Sequence, residues 1–124
     1  MAEQLQEGSF KIVDFSIDSE SGSVAHFVRS PEHHSAALEA FFRRTGSDYA
    51  KFNYLGEWHS HPRFPVLPSR EDVHSMTSLV DGERGIDFAV LLIVRLRYLF
   101  TLECSSTLFA KAHAPMPVDL APCS

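Results

Sequence analysis

The sequence predicts an α/β fold: a mixed sheet flanked by helices. Three observations point there. Segments rich in β-branched and aromatic residues recur along the chain. Two stretches between them carry apolar residues at helical spacing behind recognisable caps. A long apolar segment, 88–104, is too β-branched and aromatic for a comfortable helix and suits paired strands.

Taken in order, residues 1–9 are polar and are expected to fray. FKIVDFSI (10–17) reads as a strand, SIDSESGS (16–23) as a loop, and SVAHFV (23–28) as a second strand, so 10–28 forms an antiparallel pair. A helix over 31–45 follows. Ser30 caps it, Pro31 suits its first position, and Glu32 favours the positive end of its dipole. Ala37, Leu38, Phe41 and Phe42 supply its apolar face, and Arg43, Arg44 and Gly46 end it.

KFNYLGEW (51–58) reads as one strand leading into His-Ser-His-Pro, and PRFPVLP (62–68) as a loop. A second helix starts at Ser69, places Val73, Met76, Leu79 and Val80 on one face, and ends at Asp81-Gly82. Residues 88–104 are assigned two strands with a turn near Arg95–Arg97, and 106–112 a last strand. The Pro-rich end, 113–124, is expected to be a loose tail on a single domain spanning 1–112. The predicted order is β-β-α-β-α-β-β-β.

Composition narrows the function classes. Eleven Lys and Arg against sixteen Asp and Glu leave a net charge of −5, which argues against a nucleic-acid binder. Arg43-Arg44 and the Arg95/Arg97 pair are too short to be basic patches. The longest uninterrupted apolar run is Phe88 to Val94, far below the roughly 20 residues of a membrane helix. MAEQLQEGSF is not a signal peptide, and Cys104 and Cys123 are not a disulfide framework. The expected compartment is the cytoplasm, with free thiols and a buried, inert Cys104.

One stretch carries chemistry. His59 and His61 are two apart, so at the end of an extended strand they point to the same side and can share a metal. Asp72 lies eleven residues beyond, after a Pro-rich loop that can return the chain. Two imidazoles and a carboxylate suit Zn²⁺, and three protein ligands leave a fourth position open, which is the pattern of a catalytic site. Ser69 and Asp72 also form Ser-x-x-Asp, a capping-box variant, while the Ser69 hydroxyl can serve an oxyanion. The plain reading of His26, His33, His34 and His74 is a sheet-face histidine and exposed helix positions.

His59, Ser60, His61, Pro62, Ser69 and Asp72 together resemble the JAMM motif of MPN/JAB-type zinc metalloproteases: His-Ser/Thr-His-Pro, six residues, Ser, two residues, Asp. The preceding Tyr54-Leu55-Gly56-Glu57-Trp58 resembles prokaryotic members, as do Phe27-Val28-Arg29 and the 31–45 helix. The resemblance covers roughly residues 10–112. It implies a three-layer, cytidine-deaminase-like domain and a zinc peptidase or isopeptidase. It implies His59, His61 and Asp72 as Zn²⁺ ligands and Ser69 at the oxyanion. It further implies a ubiquitin-like or sulfur-carrier protein as substrate, and an association with E1-like adenylating enzymes.

The resemblance also implies a general-base Glu upstream, in a Glu-x-Gly-Gly-like patch behind an initial helix. Glu3, Glu7, Asp14, Asp18, Glu20 and Glu32 do not match that context. The expectation is therefore that the Glu, the first helix and the first strand would fall before Met1. Two alternatives stand beside it: a binding module for a ubiquitin-like protein or partner subunit, and substitution by another Glu, of which Glu57 is the nearest to the motif.

Overall fold

The computed structural model describes residues 1–16, 31–61, 65–82, 86–97 and 101–121. These residues form an α/β structure with two helices and two sheets, in the order β1 (Ala2–Gln6), β2 (Ser9–Ile12), α1 (Pro31–Arg44), β3 (Phe52–Asn53), β4 (Gly56–Ser60), α2 (Arg70–Gly82), β5 (Phe88–Arg97), β6 (Thr101–Ala110) and β7 (Met116–Pro117). The chain divides into two compact units, Met1–Leu55 and Gly56–Ser124. No helix among the described residues is long and apolar enough to cross a membrane.

The first unit holds an antiparallel sheet in the order β2-β1-β3. Residues 1–9, read as frayed, form β1 and the turn to β2 instead. The Glu7-Gly8 turn makes this possible, because Gly8 takes a φ of 76° that other residues avoid. Ala2 is buried, and the Met1 ammonium donates to the Asp14 carbonyl. Strand β2 stops at Ile12, short of the predicted 17. The predicted strand 23–28, with His26, lies outside the described residues.

Helix α1 matches its predicted bounds closely and ends in a Schellman motif. The Ser47 N–H donates to the Phe42 carbonyl and the Gly46 N–H to the Arg43 carbonyl, with Gly46 at a φ of 70°. Its buried Phe41 meets Phe52 of β3 edge-on, and Phe42 meets Tyr49 with ring centroids 4.8 Å apart. The predicted strand 51–58 is thus two strands. Phe52 is held by the aromatic cluster, and the chain enters a different sheet at Gly56.

The second unit holds a mixed sheet in the order β4-β5-β6-β7. β4 runs parallel to β5, with Gly56 opposite Val90 and His59 opposite Ile93. The parallel connection passes through α2, as a parallel crossover requires. Ala89, Leu91, Ile93 and Phe109 on one sheet face and Met76, Leu79 and Val80 on α2 are all buried and form this unit's core.

β5 and β6 pair antiparallel over ten residues each, in register from Phe88↔Ala110 to Arg97↔Thr101. The predicted turn at Arg95–Arg97 is therefore strand. Arg95 continues the period-two alternation between Val94 and Leu96 and lies directly opposite Glu103. The separate strand predicted over 106–112 is the second half of β6. Cys104, expected to be buried, is exposed. Part of the predicted loose tail is also ordered: Met116–Pro117 pairs with β6, and Val118 exchanges hydrogen bonds with Ser106.

Gly56 fixes how closely β4 approaches β5. A Cβ there would lie 1.8 Å from the Val90 carbonyl oxygen, a backbone atom that cannot swing away. Gly56→Ala is expected to cost about 3 kcal/mol or more, against about 1 kcal/mol for Gly46→Ala in the helix cap. Urea denaturation of the two variants beside the wild type measures both, and a Gly56→Ala midpoint equal to wild type contradicts the close approach.

Candidate metal centre

The C-terminal end of β4 and the N-terminus of α2 supply the site. β4 alternates, so Glu57, His59 and His61 share one side, and His59 is buried there beside the α2-facing residue Ile93. His61 lies one residue past the strand, where its N–H still donates to the Val94 carbonyl (2.9 Å). Asp72 is in the first turn of α2 and is buried.

Ser69 caps α2 reciprocally with Asp72. The Asp72 N–H donates to Ser69 Oγ (3.1 Å), and the Ser69 N–H donates to Asp72 Oδ2 (2.9 Å). This pins the carboxylate. Its Oδ1 lies 2.9 Å from His59 Nδ1, and its Oδ2 lies 3.3 Å from His61 Nε2. Burial acts most strongly on the Asp72 carboxyl and pushes its pKa up. The Ser69 N–H, the nearby His59 charge, the Ser69 hydroxyl and the His59 hydrogen bond outweigh it and hold the pKa below the ordinary value.

His61 shows what such a site accommodates. Its Nδ1 lies 3.1 Å from the Pro65 carbonyl oxygen, which can only accept, so Nδ1 carries the proton. Its other ring nitrogen, Nε2, lies 3.3 Å from Asp72 Oδ2. Among the described residues, ligand atoms of His59, His61 and Asp72 lie within 4.8 Å of one another. Ligands on a tetrahedral zinc with bonds of about 2.0–2.1 Å are about 3.4 Å apart, so the donor set and its spacing fit a metal after small side-chain adjustments.

The remaining predicted candidates divide. His74 is on the exposed side of α2. Of the upstream carboxylates, Asp14 pairs with Arg44, Glu3 lies 3.7 Å from Lys51, and Glu7 is exposed in the β1–β2 turn. Asp18, Glu20, Cys123 and the side chains of Glu32, His33 and His34 lie outside the described residues. Glu57 is half-buried on the side of the strand that carries His59. Sequence reading did not single out Pro65, whose carbonyl sets the His61 tautomer. Backbone acceptors leave no residue-type signal.

The Asp72 pairing has a pH signature. Its folded pKa is below the unfolded one, so its stabilising contribution is complete above about pH 4, the unfolded value, and is lost as pH falls through the folded pKa. In chelator-treated protein, the stability gap between wild type and Asp72→Asn should therefore narrow below about pH 4. Thermal melts across pH 2.5–7, a range of roughly that span, read the gap, and a constant gap contradicts the pairing.

Two comparisons bear on this geometry. A protein from Vibrio cholerae named CD-NTase/cGAS isopeptidase is 38% identical over 66 residues, which is 53% of this chain. The chain spans only 38% of that relative's length. The model for prokaryotic homologues of the JAB domain matches residues 2–106, which include the β4 end, the α2 start and all three candidate ligands. With most of its length matched, the chain belongs to the family of prokaryotic homologues of the JAB domain.

Proposed function

We propose that this chain is a zinc-dependent peptidase or isopeptidase of the JAMM type, with His59, His61 and Asp72 as metal ligands and Ser69 at the oxyanion. The observation that carries this reading is the convergence of two imidazoles on one capped, buried carboxylate, with His59 Nδ1 2.9 Å from Asp72 Oδ1 and His61 Nε2 3.3 Å from Asp72 Oδ2. A bound zinc ion supplies carbonyl polarisation and a water nucleophile at neutral pH. The protein's own groups do the positioning. Ser69 and Pro65 lock the orientation of Asp72 and His61, as outer hydrogen bonds do around metal ligands generally. Ser69 Oγ accepts from the Asp72 N–H through one lone pair, which leaves its O–H free to turn toward a developing oxyanion.

The isopeptidase named among the relatives supports a protein substrate. We assign a ubiquitin-like or sulfur-carrier protein, with an E1-like adenylating enzyme as associated partner and the cytoplasm as compartment. A second reading is a module that keeps the metal cage and binds such a protein without cutting it. The engagement of Asp14 and Glu3 in ion pairs of the first unit favours it, because neither then stands ready as a general base.

Purified without chelators, the chain should hold about one equivalent of zinc, falling below about 0.2 in His59→Ala and His61→Ala. Zinc content independent of both histidines overturns the metal centre. Cleavage of a ubiquitin-like fusion that stops with a chelator and returns with zinc supports the enzyme; zinc binding and capture of the fusion without cleavage supports the module. Ser69→Ala should keep its zinc, lose about 100-fold in kcat, and lose about 1 kcal/mol of stability with the cap. An unchanged kcat removes Ser69 from the oxyanion.

A further inference from the structure

β6 is longer than the strand that covers it. β7 pairs with Thr107 and Leu108, and the Val118 N–H donates to the Ser106 carbonyl. The Ser106 hydroxyl donates to the Val118 carbonyl, and Asp119–Ala121 add no pair to the ladder. Backbone groups along a strand point to alternate sides. Leu102 and Cys104 therefore face outward with Ser106, while Glu103 and Ser105 face β5. Among the described residues, no strand pairs with the outer side of β6 over Thr101–Ser105.

The side chains of Leu102 and Cys104 lie on the sheet face opposite Ile93 and the rest of the core. Leu102 is 63% exposed, and Leu96, directly opposite it on β5, is 58% exposed. Cys104 beside them is exposed as well. Water can serve the backbone of an edge, and a single exposed leucine is ordinary. An open edge lined by uncharged, apolar side chains is different, because it is a template for another strand. Folded chains blunt such edges with Lys or Pro, as Pro117 does on β7, the outermost strand. Leu102 and Cys104 do not.

We infer that this edge pairs with its own counterpart in a second copy of the chain, antiparallel about a two-fold axis at Leu102. The chain carries a net charge of −5, but Leu96, Leu102 and Cys104 are uncharged, so this strip meets its copy without like charges. Only the outward-facing residues can exchange hydrogen bonds across the axis. An axis at Glu103 sets that carboxylate opposite itself, which is unfavourable. An axis at Cys104 sets Leu102 opposite Ser106, whose outer side Val118 already holds. An axis at Leu102 avoids both. Each Leu102 N–H then donates to the Leu102 carbonyl of the other copy, Glu103 lies opposite Thr101, and pairing ends short of Ser106. Leu96, Leu102 and their copies form one apolar row. Closed two-fold pairing is also the commonest form of self-association. The assignment does not depend on the metal centre.

Such a contact is smaller than the roughly 1,200 Å² of a standard interface, so the dimer should dissociate on dilution. Sedimentation velocity should show the mass rising from monomer toward dimer between about 10 μM and 1 mM. Leu102→Lys sets like charges opposite each other and should weaken association about ten-fold or more. Leu102→Pro removes only an outward N–H, which edge strands tolerate, and gives the same reading if the lysine variant does not fold. Leu5→Lys, at a comparably exposed position of the other sheet, should leave association unchanged. Cross-linking reads the register. Leu102→Cys in a Cys104→Ser, Cys123→Ser background should form a covalent dimer on mild oxidation. Cys104 alone, with Cys123→Ser, should not, because about 13 Å of strand separates it from its copy, and a disulfide needs Cα atoms within about 7 Å. A monomer across the whole range, Leu102 variants that associate like wild type, or linkage through Cys104 overturns the assignment.

Discussion

The carboxylate of Asp72 is the point on which the second unit's chemistry turns. It accepts the Ser69 N–H at the start of α2 and meets imidazole nitrogens from two positions at the end of β4. A helix N-terminus stabilises a negative charge through its free N–H groups, so the helix start and the charged state of Asp72 support each other. Burial opposes the charge, and the hydrogen bonds prevail. One buried anion thus caps a helix and meets two histidines.

The sheet determines what surrounds that anion. Parallel pairing of β4 with β5 puts α2 on the face that carries His59. Gly56 lets the two backbones meet without a side chain between them. Ten-residue pairing of β5 with β6 then carries the same face onward past the end of β4, where alternation sets charged residues in place of the core's Leu91 and Ile93. The transition from dry core to polar site occurs within one strand, between Ile93 and Arg95.

What was legible in the sequence was local. The caps and apolar spacing of α1 and α2 place both helices within a residue or two, because capping residues act on N–H groups three or four positions away. The spacing of His59, His61 and Asp72 announced their convergence, since period-two alternation and a helix start are both short-range rules. Non-local pairing was harder to read. AEQLQ has no strand signature and is a strand because β2 and β3 flank it. Met116–Pro117 reads as tail and becomes strand by reaching back to Thr107 and Leu108. Arg95 and Arg97 look like a turn until Glu103 and Thr101 are seen opposite them.

The capping box changes how related sequences should be interpreted. Ser69 and Asp72 start a helix whether or not any metal is present. A related sequence without the metal keeps a physical reason to retain both, because losing either removes a hydrogen bond of the α2 cap. The histidines have no such second duty in the helix. In sequences built on this plan, a surviving Ser-x-x-Asp therefore reports only an intact helix start, and the paired histidines are the better marker of inherited chemistry.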